Sequence, residues 1–175
     1  MHRKQQHDST AAPHATVRVL VVAYGNPLRS DDGLAWRTAD ELQRRCAVPG
    51  LEILRRHQLA PEIAADLSRC GTVVFVDAAV PGAATGIPGE VRLEELPEQG
   101  EPIGEMRCSH QFSPATLIRM AEQLYGTRPR AYCATLTGQN FDHGESFSPP
   151  VEASLPQLVA RIADLVQRIA CDEAR

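Results

Sequence analysis

No stretch of this chain holds the roughly 20 consecutive apolar residues that a helix needs to cross a bilayer. The first fifteen residues, MHRKQQHDSTAAPHA, lack the apolar segment of a secretion signal. A cytoplasmic protein with no membrane partner is expected. There is no basic stripe either: 18 Lys and Arg are scattered among 22 Asp and Glu, leaving a formal charge of −4. Such a surface does not hold a phosphate backbone, so nucleic acid is not expected as a partner. The five cysteines, Cys46, Cys70, Cys108, Cys133 and Cys171, contain no C-x-x-C, and an odd number cannot all pair within one chain. Most of them read as small buried apolar residues. Also missing are a glycine-rich phosphate loop, H-E-x-x-H and G-x-S-x-G, the marks of common nucleotide, zinc-protease and serine-hydrolase sites.

What is present fits one domain. A hydrophobic content of 43% over 175 residues supplies a real core but not two comfortable ones. Residues 1–15 read as a mobile tail whose His2, His7 and His14 have no apolar frame, and residues 16–171 as the domain. VRVLVVAY (17–24) and TVVFVDA (72–78) are continuously apolar, as strands covered on both faces are. LEILRR (51–56) and RAYCATLT (130–137) read as further strands, and EVRLEEL (90–96), which alternates apolar and charged residues, as an edge strand.

Helices are expected between the strands. Leu34, Ala35, Thr38, Leu42 and Cys46 recur at helical spacing between Asp31 and Cys46, with Pro49-Gly50 ending the segment. PEIAADLSRC (61–70) has Pro61 in its first turn. In 113–126, Ser113 is a natural N-cap, and Leu117, Ile118, Ala121, Leu124 and Tyr125 mark one face. Leu155, Leu158, Val159, Ile162, Leu165, Val166 and Ile169 form the stripe of a last helix. Alternating strands and helices predict an α/β fold, a three-layer αβα sandwich with a mostly parallel five-stranded sheet.

Ligands of open α/β sheets bind beyond the carboxyl ends of the strands. Three polar groups fall there: the Asp31-Asp32 pair after the first strand, Asp77 ending the third, and His110 before the SPATL helix. Two carboxylates and an imidazole would suit a divalent first-row metal with coordination positions left over. Each has an ordinary alternative, since acids in a first helical turn favour the helix dipole and a lone histidine is often a hydrogen-bonded structural one. His57, at the end of the second strand, projects from the same edge. Cys108, two residues before His110, could pair with it as nucleophile and base. His143 and Glu145 read as loop residues.

In this order and spacing, GNPLRSDDG, VVFVDA and SHQFSPATL, with the distal GESFSPPVEASLPQLV, resemble the hydrogenase maturation proteases. These endopeptidases trim the C-terminal extension from the large subunit of nickel-iron hydrogenases. The resemblance runs from about Val17 to Ile169, and HQLAPEIAADL resembles one branch of the family. It implies a metal-binding and catalytic trio of Asp32, Asp77 and His110, with Asp31 as the neighbour that starts the helix. Gly25, Asn26, His57 and Gln111 would position substrate.

The implied partner is a hydrogenase large-subunit precursor, and the implied cofactor is nickel supplied with that substrate, although another divalent metal could occupy the site. The implied activity is cleavage once metal insertion is complete, by a monomeric enzyme. Water activated by metal, water activated by a carboxylate, and direct carboxylate action all remain open, as do two other functions: a non-catalytic nickel-site checkpoint or chaperone, and a thiol hydrolase using Cys108 and His110.

Overall fold

A computed structural model describes residues 17–82, 84, 86–97 and 112–172. The tail 1–15, the loop before the SPATL helix and the residues Cys108, His110 and Gln111 lie outside the described residues. Five strands and four helices follow one another: β1 (Val17–Tyr24), α1 (Leu34–Arg45), β2 (Leu51–Arg56), α2 (Ile63–Leu67), β3 (Cys70–Ala79), β4 (Val91–Glu95), α3 (Pro114–Tyr125), β5 (Arg130–Thr137) and α4 (Pro149–Asp172). A short 3-10 turn, Ser30–Gly33, joins β1 to α1. The strands form one sheet in the order β2-β1-β3-β5-β4. All neighbouring pairs are parallel except β4 with β5. The expected mostly parallel five-stranded αβα sandwich is therefore what forms.

The continuous apolar strands are explained by two cores, because successive side chains of a strand point to opposite faces. Val19, Val21 and Ala23 of β1 and Val74 and Val76 of β3 pack with α1 and α4 on one face. Leu20, Val22 and Tyr24 of β1 and Val73 and Phe75 of β3 pack with α2 and α3 on the other. Each fully buried Leu, Val or Phe contributes about 1.5–3 kcal/mol. Both central strands draw this contribution on both faces. Three of the cysteines, Cys46, Cys70 and Cys133, are buried in these cores, while Cys171 is exposed.

Several boundaries differ from the sequence expectation for tertiary reasons. α2 is only five residues long, because Cys70 is claimed by the sheet, where it pairs with Val17. β3 runs to Ala79 because its pairing with β5 continues to Thr137. Leu124 and Tyr125 do not join the buried face of α3: they are 64% and 51% exposed. The Ser113 cap is as expected, its hydroxyl accepting the Thr116 N–H at 3.2 Å. Gly126 closes α3 with a left-handed φ of +69°.

The register aligns the strand ends where a site can form. Tyr24 pairs with Arg56, and one step beyond the Ala23–Val76 pair it faces Asp77, which in turn pairs with Thr135. Arg56, Tyr24, Asp77 and Thr135 thus form a row across four strands near their carboxyl ends. Only residues 126–129 separate the end of α3 from the start of β5. α3 therefore runs opposite to β5, and its Ser113 end lies toward the same carboxyl edge.

Candidate functional site

Beyond Tyr24 the chain doubles back on itself at Gly25. This residue has a φ of +140°, and a Cβ on it would stand 2.2 Å from the Asp32 carbonyl oxygen and 3.5 Å from Asp32 Oδ1. Only glycine tolerates both the conformation and the approach. The Gly25 N–H donates to the Arg56 carbonyl at 3.1 Å, tying the turn to the end of β2. Asn26 uses its side-chain oxygen to accept the Leu28 N–H at 3.0 Å, while its own N–H donates to Asp32 Oδ2 at 2.9 Å. Asp32 is half-buried, and its Oδ1 accepts no hydrogen bond from the described residues. Asp32 thus presents one carboxylate oxygen above the end of β1, fixed by the other.

Asp77 lies one strand away. It is 8% exposed, and its Oδ1 accepts the N–H of Ala78 at 2.8 Å. It shares strand parity with Val73 and Phe75, so its side chain belongs to the α2/α3 face, the face on which α3 opens with Ser113. The 3-10 turn carrying Asp32 packs against β3. The fold thus brings Asp32, Asp77, Gly25 and Asn26 to adjacent strand ends, on one edge.

Asp31 plays a part that the sequence reading missed. It does not cap its own helix. Its carboxylate is fully buried and is turned toward the β5–α4 loop. Oδ2 accepts the N–H of Gln139 at 2.7 Å, the N–H of Asn140 at 2.9 Å and the Ser148 hydroxyl at 2.7 Å, and Oδ1 accepts the Ser148 N–H at 2.7 Å. Burial pushes the Asp31 carboxyl up, but the Asn140, Gln139 and Ser148 N–H groups and the Ser148 hydroxyl outweigh it and hold the group below its ordinary value.

Backbone bonds close the same seam. Ser30 N–H donates to Gly144 O at 2.7 Å, Gly144 N–H to Leu28 O at 3.0 Å, and Asp31 N–H to Asn140 O at 3.0 Å. These contacts hold Ser30 at a φ of +47°, a conformation that costs a non-glycine residue about 1–2 kcal/mol. His143 and Glu145 are exposed loop residues, as expected. No local pattern announces a carboxylate whose donors lie 108 to 117 residues away. The available signal was Ser148 ahead of Pro149-Pro150, a helix start that a buried acceptor would anchor.

His57, just past β2, is exposed, and its ring lies 5.0 Å from the Trp36 ring, centroid to centroid, tilted by 38°. The indole N–H of Trp36 donates to Arg56 O at 3.1 Å, the same oxygen that accepts from Gly25.

The oxygen donors at Asp32 and Asp77 suit part of a site for a hard or borderline divalent cation. Among the described residues, no group of three His, Cys, Asp or Glu side chains could hold a metal. A third donor is not supplied by them. A groove of about 490 Å³ between α1 and α4, lined by Arg37, Glu41, Phe147, Glu152, Leu155 and Val159, includes neither Asp32 nor Asp77. No helix among the described residues is long and apolar enough to cross a membrane.

No protein-family model and no curated protein matches the chain. Solved structures do. The hydrogenase maturating endopeptidase HybD from E. coli superposes with a TM-score of 0.68 at 19% identity, over 86% of this chain and 93% of that one. The NiFe hydrogenase maturation protease HycI from Thermococcus kodakarensis KOD1 gives 0.66 at 20% identity, over 87% and 94%. The NiFe hydrogenase maturation protease HybD from Thermococcus kodakarensis gives 0.64 at 22%, over 85% and 99%. Nearly the whole of each of these proteins is therefore matched, and the chain has the fold of the hydrogenase maturation endopeptidases.

Proposed function

We propose that this protein is a hydrogenase maturation endopeptidase that removes a C-terminal extension from the large-subunit precursor of a nickel-iron hydrogenase after metal insertion. The observation that carries this reading is the Asp32–Gly25 turn beside Asp77. That turn holds Asp32 above the end of β1, next to the strand β3 that carries Asp77 near its end, within a fold shared with proteins of that activity, and this supports the reading. His110, three residues before the Ser113 cap in sequence, completes the proposed donor set.

Two carboxylates and one imidazole make an incomplete site for nickel, one that gains strength when a substrate supplies further and softer ligands. Nickel would then be recognised as part of the substrate. Bound by this donor set, the cation would supply Lewis acidity toward the scissile carbonyl. Asp32 and Asp77 orient the attacking water and take its proton, the carbonyl carbon gains an oxygen, the C–N bond breaks, and the departing amine receives the proton. The enzyme is expected to work in the cytoplasm as a monomer, with its carboxyl edge against a precursor much larger than itself.

The test is incubation of the nickel-loaded precursor with the protein and with Asp77→Asn. Shortening of the precursor by the natural protein and none by the variant supports the reading. Equal shortening by both contradicts the role given to Asp77. Tight binding without shortening would instead indicate a docking checkpoint.

A further inference from the structure

We propose that His57 is a substrate-positioning residue that hydrogen-bonds the precursor's peptide backbone on the β2 side of the acid pair. This rests on the endopeptidase reading for the identity of the peptide, but the placement of His57 does not.

The placement comes from one shared acceptor. Arg56 O receives the Trp36 indole N–H and the Gly25 N–H, each at 3.1 Å. Trp36 in turn packs on the His57 ring, and Gly25 lies against Asp32 so closely that no side chain fits between them. His57 and Asp32 are therefore fixed to one frame from opposite sides, His57 just past β2 and Asp32 in the turn that follows the neighbouring strand β1. Trp36 is half-buried, so the frame is held by packing as well as by hydrogen bonds.

One face of the imidazole is covered and the ring is exposed, and among the described residues its two nitrogens make no hydrogen bond. A restrained ring with a donor and an acceptor at its edge is suited to a peptide N–H or C=O, because little side-chain freedom remains to be lost on binding. A ring present only to shield Trp36 from water would need no nitrogen atoms. That difference supplies the test.

The natural protein and the variants His57→Ala, His57→Phe and His57→Gln are compared for Kd with the nickel-loaded precursor, each also carrying Asp77→Asn to prevent cleavage. KM and kcat are then measured without that second change. His57→Phe preserves the ring packing and lacks the nitrogens, whereas His57→Gln keeps a donor and an acceptor. The expected result is a three- to tenfold rise (about one hydrogen bond) in Kd and KM for Ala and Phe, with kcat within about twofold and Gln close to the natural protein. A Phe variant that binds as tightly as the natural protein overturns the proposal. Should the natural protein leave the precursor uncut while the Kd pattern holds, the endopeptidase reading fails and His57 stands as a binding residue.

Discussion

The Asp31 carboxylate accepts both the backbone N–H and the hydroxyl of Ser148, 117 residues further along the chain, each at 2.7 Å. With the Gln139 and Asn140 N–H groups on the same carboxylate, this pairing pins the start of α4 and the loop before it to the turn that carries Asp32. The fully buried acid of the Asp31-Asp32 pair is taken up by these structural hydrogen bonds, whereas half-buried Asp32 accepts only the Asn26 N–H among the described residues, which is why the proposed chemistry is assigned to it.

Replacing Asp31 by Asn should therefore destabilise the fold by about 2–4 kcal/mol, because an amide offers one acceptor oxygen where a carboxylate offers two and turns an NH2 toward donors. Urea unfolding of the two proteins measures this. Ser148→Ala removes only the hydroxyl donor and should cost about 1–2 kcal/mol.

Stability should also depend on pH through the same group. The folded Asp31 carboxyl lies below its ordinary value of 3.8. Its contribution is fully present above that ordinary value and is lost as pH falls through the lower, folded one. Unfolding free energy measured between pH 6 and acid should fall less steeply in Asp31→Asn than in the natural protein.

Gly25→Ala should be more damaging than an ordinary loop substitution. The added methyl meets the Asp32 carbonyl oxygen at 2.2 Å, in a backbone conformation that L residues rarely adopt. A loss of at least about 2 kcal/mol is expected, together with a displaced Asp32. Thermal unfolding and precursor cleavage report the two effects separately.

Burial pushes the Cys70 thiol up to about 12, and Cys46 and Cys133 are likewise enclosed. Brief alkylation of the native protein near pH 8, followed by peptide mapping, should label Cys171 well ahead of these three.

The strands and their order in the chain were legible because burial on both faces writes itself as continuous apolar runs. VRVLVVAY and RAYCATLT coincide with β1 and β5 to the residue. The short edge strand was legible from alternation, since β4 has one neighbour and an exposed end. The ends of α2 and β3 were not, because a sheet partner and not a local signal decides whether Cys70 belongs to a helix or a strand. Leu124 and Tyr125 have helical spacing but stay exposed, because among the described residues nothing covers them.

At the site, position along the chain was enough to bring Asp32 and Asp77 to one edge. The division of labour between Asp31 and Asp32 was not visible, because it depends on which carboxylate meets a loop more than 100 residues away. Trp36 was equally silent. Its role comes from the Arg56 carbonyl that it shares with Gly25, a contact between neighbouring strand ends.

The most direct test is the intact mass of the large-subunit precursor after incubation, with nickel-loaded and nickel-free samples set beside an Asp32→Asn control. The account predicts loss of a C-terminal peptide from the nickel-loaded precursor alone, and only with Asp32 intact. Equal cleavage of both precursors, or undiminished cleavage by Asp32→Asn, would contradict it.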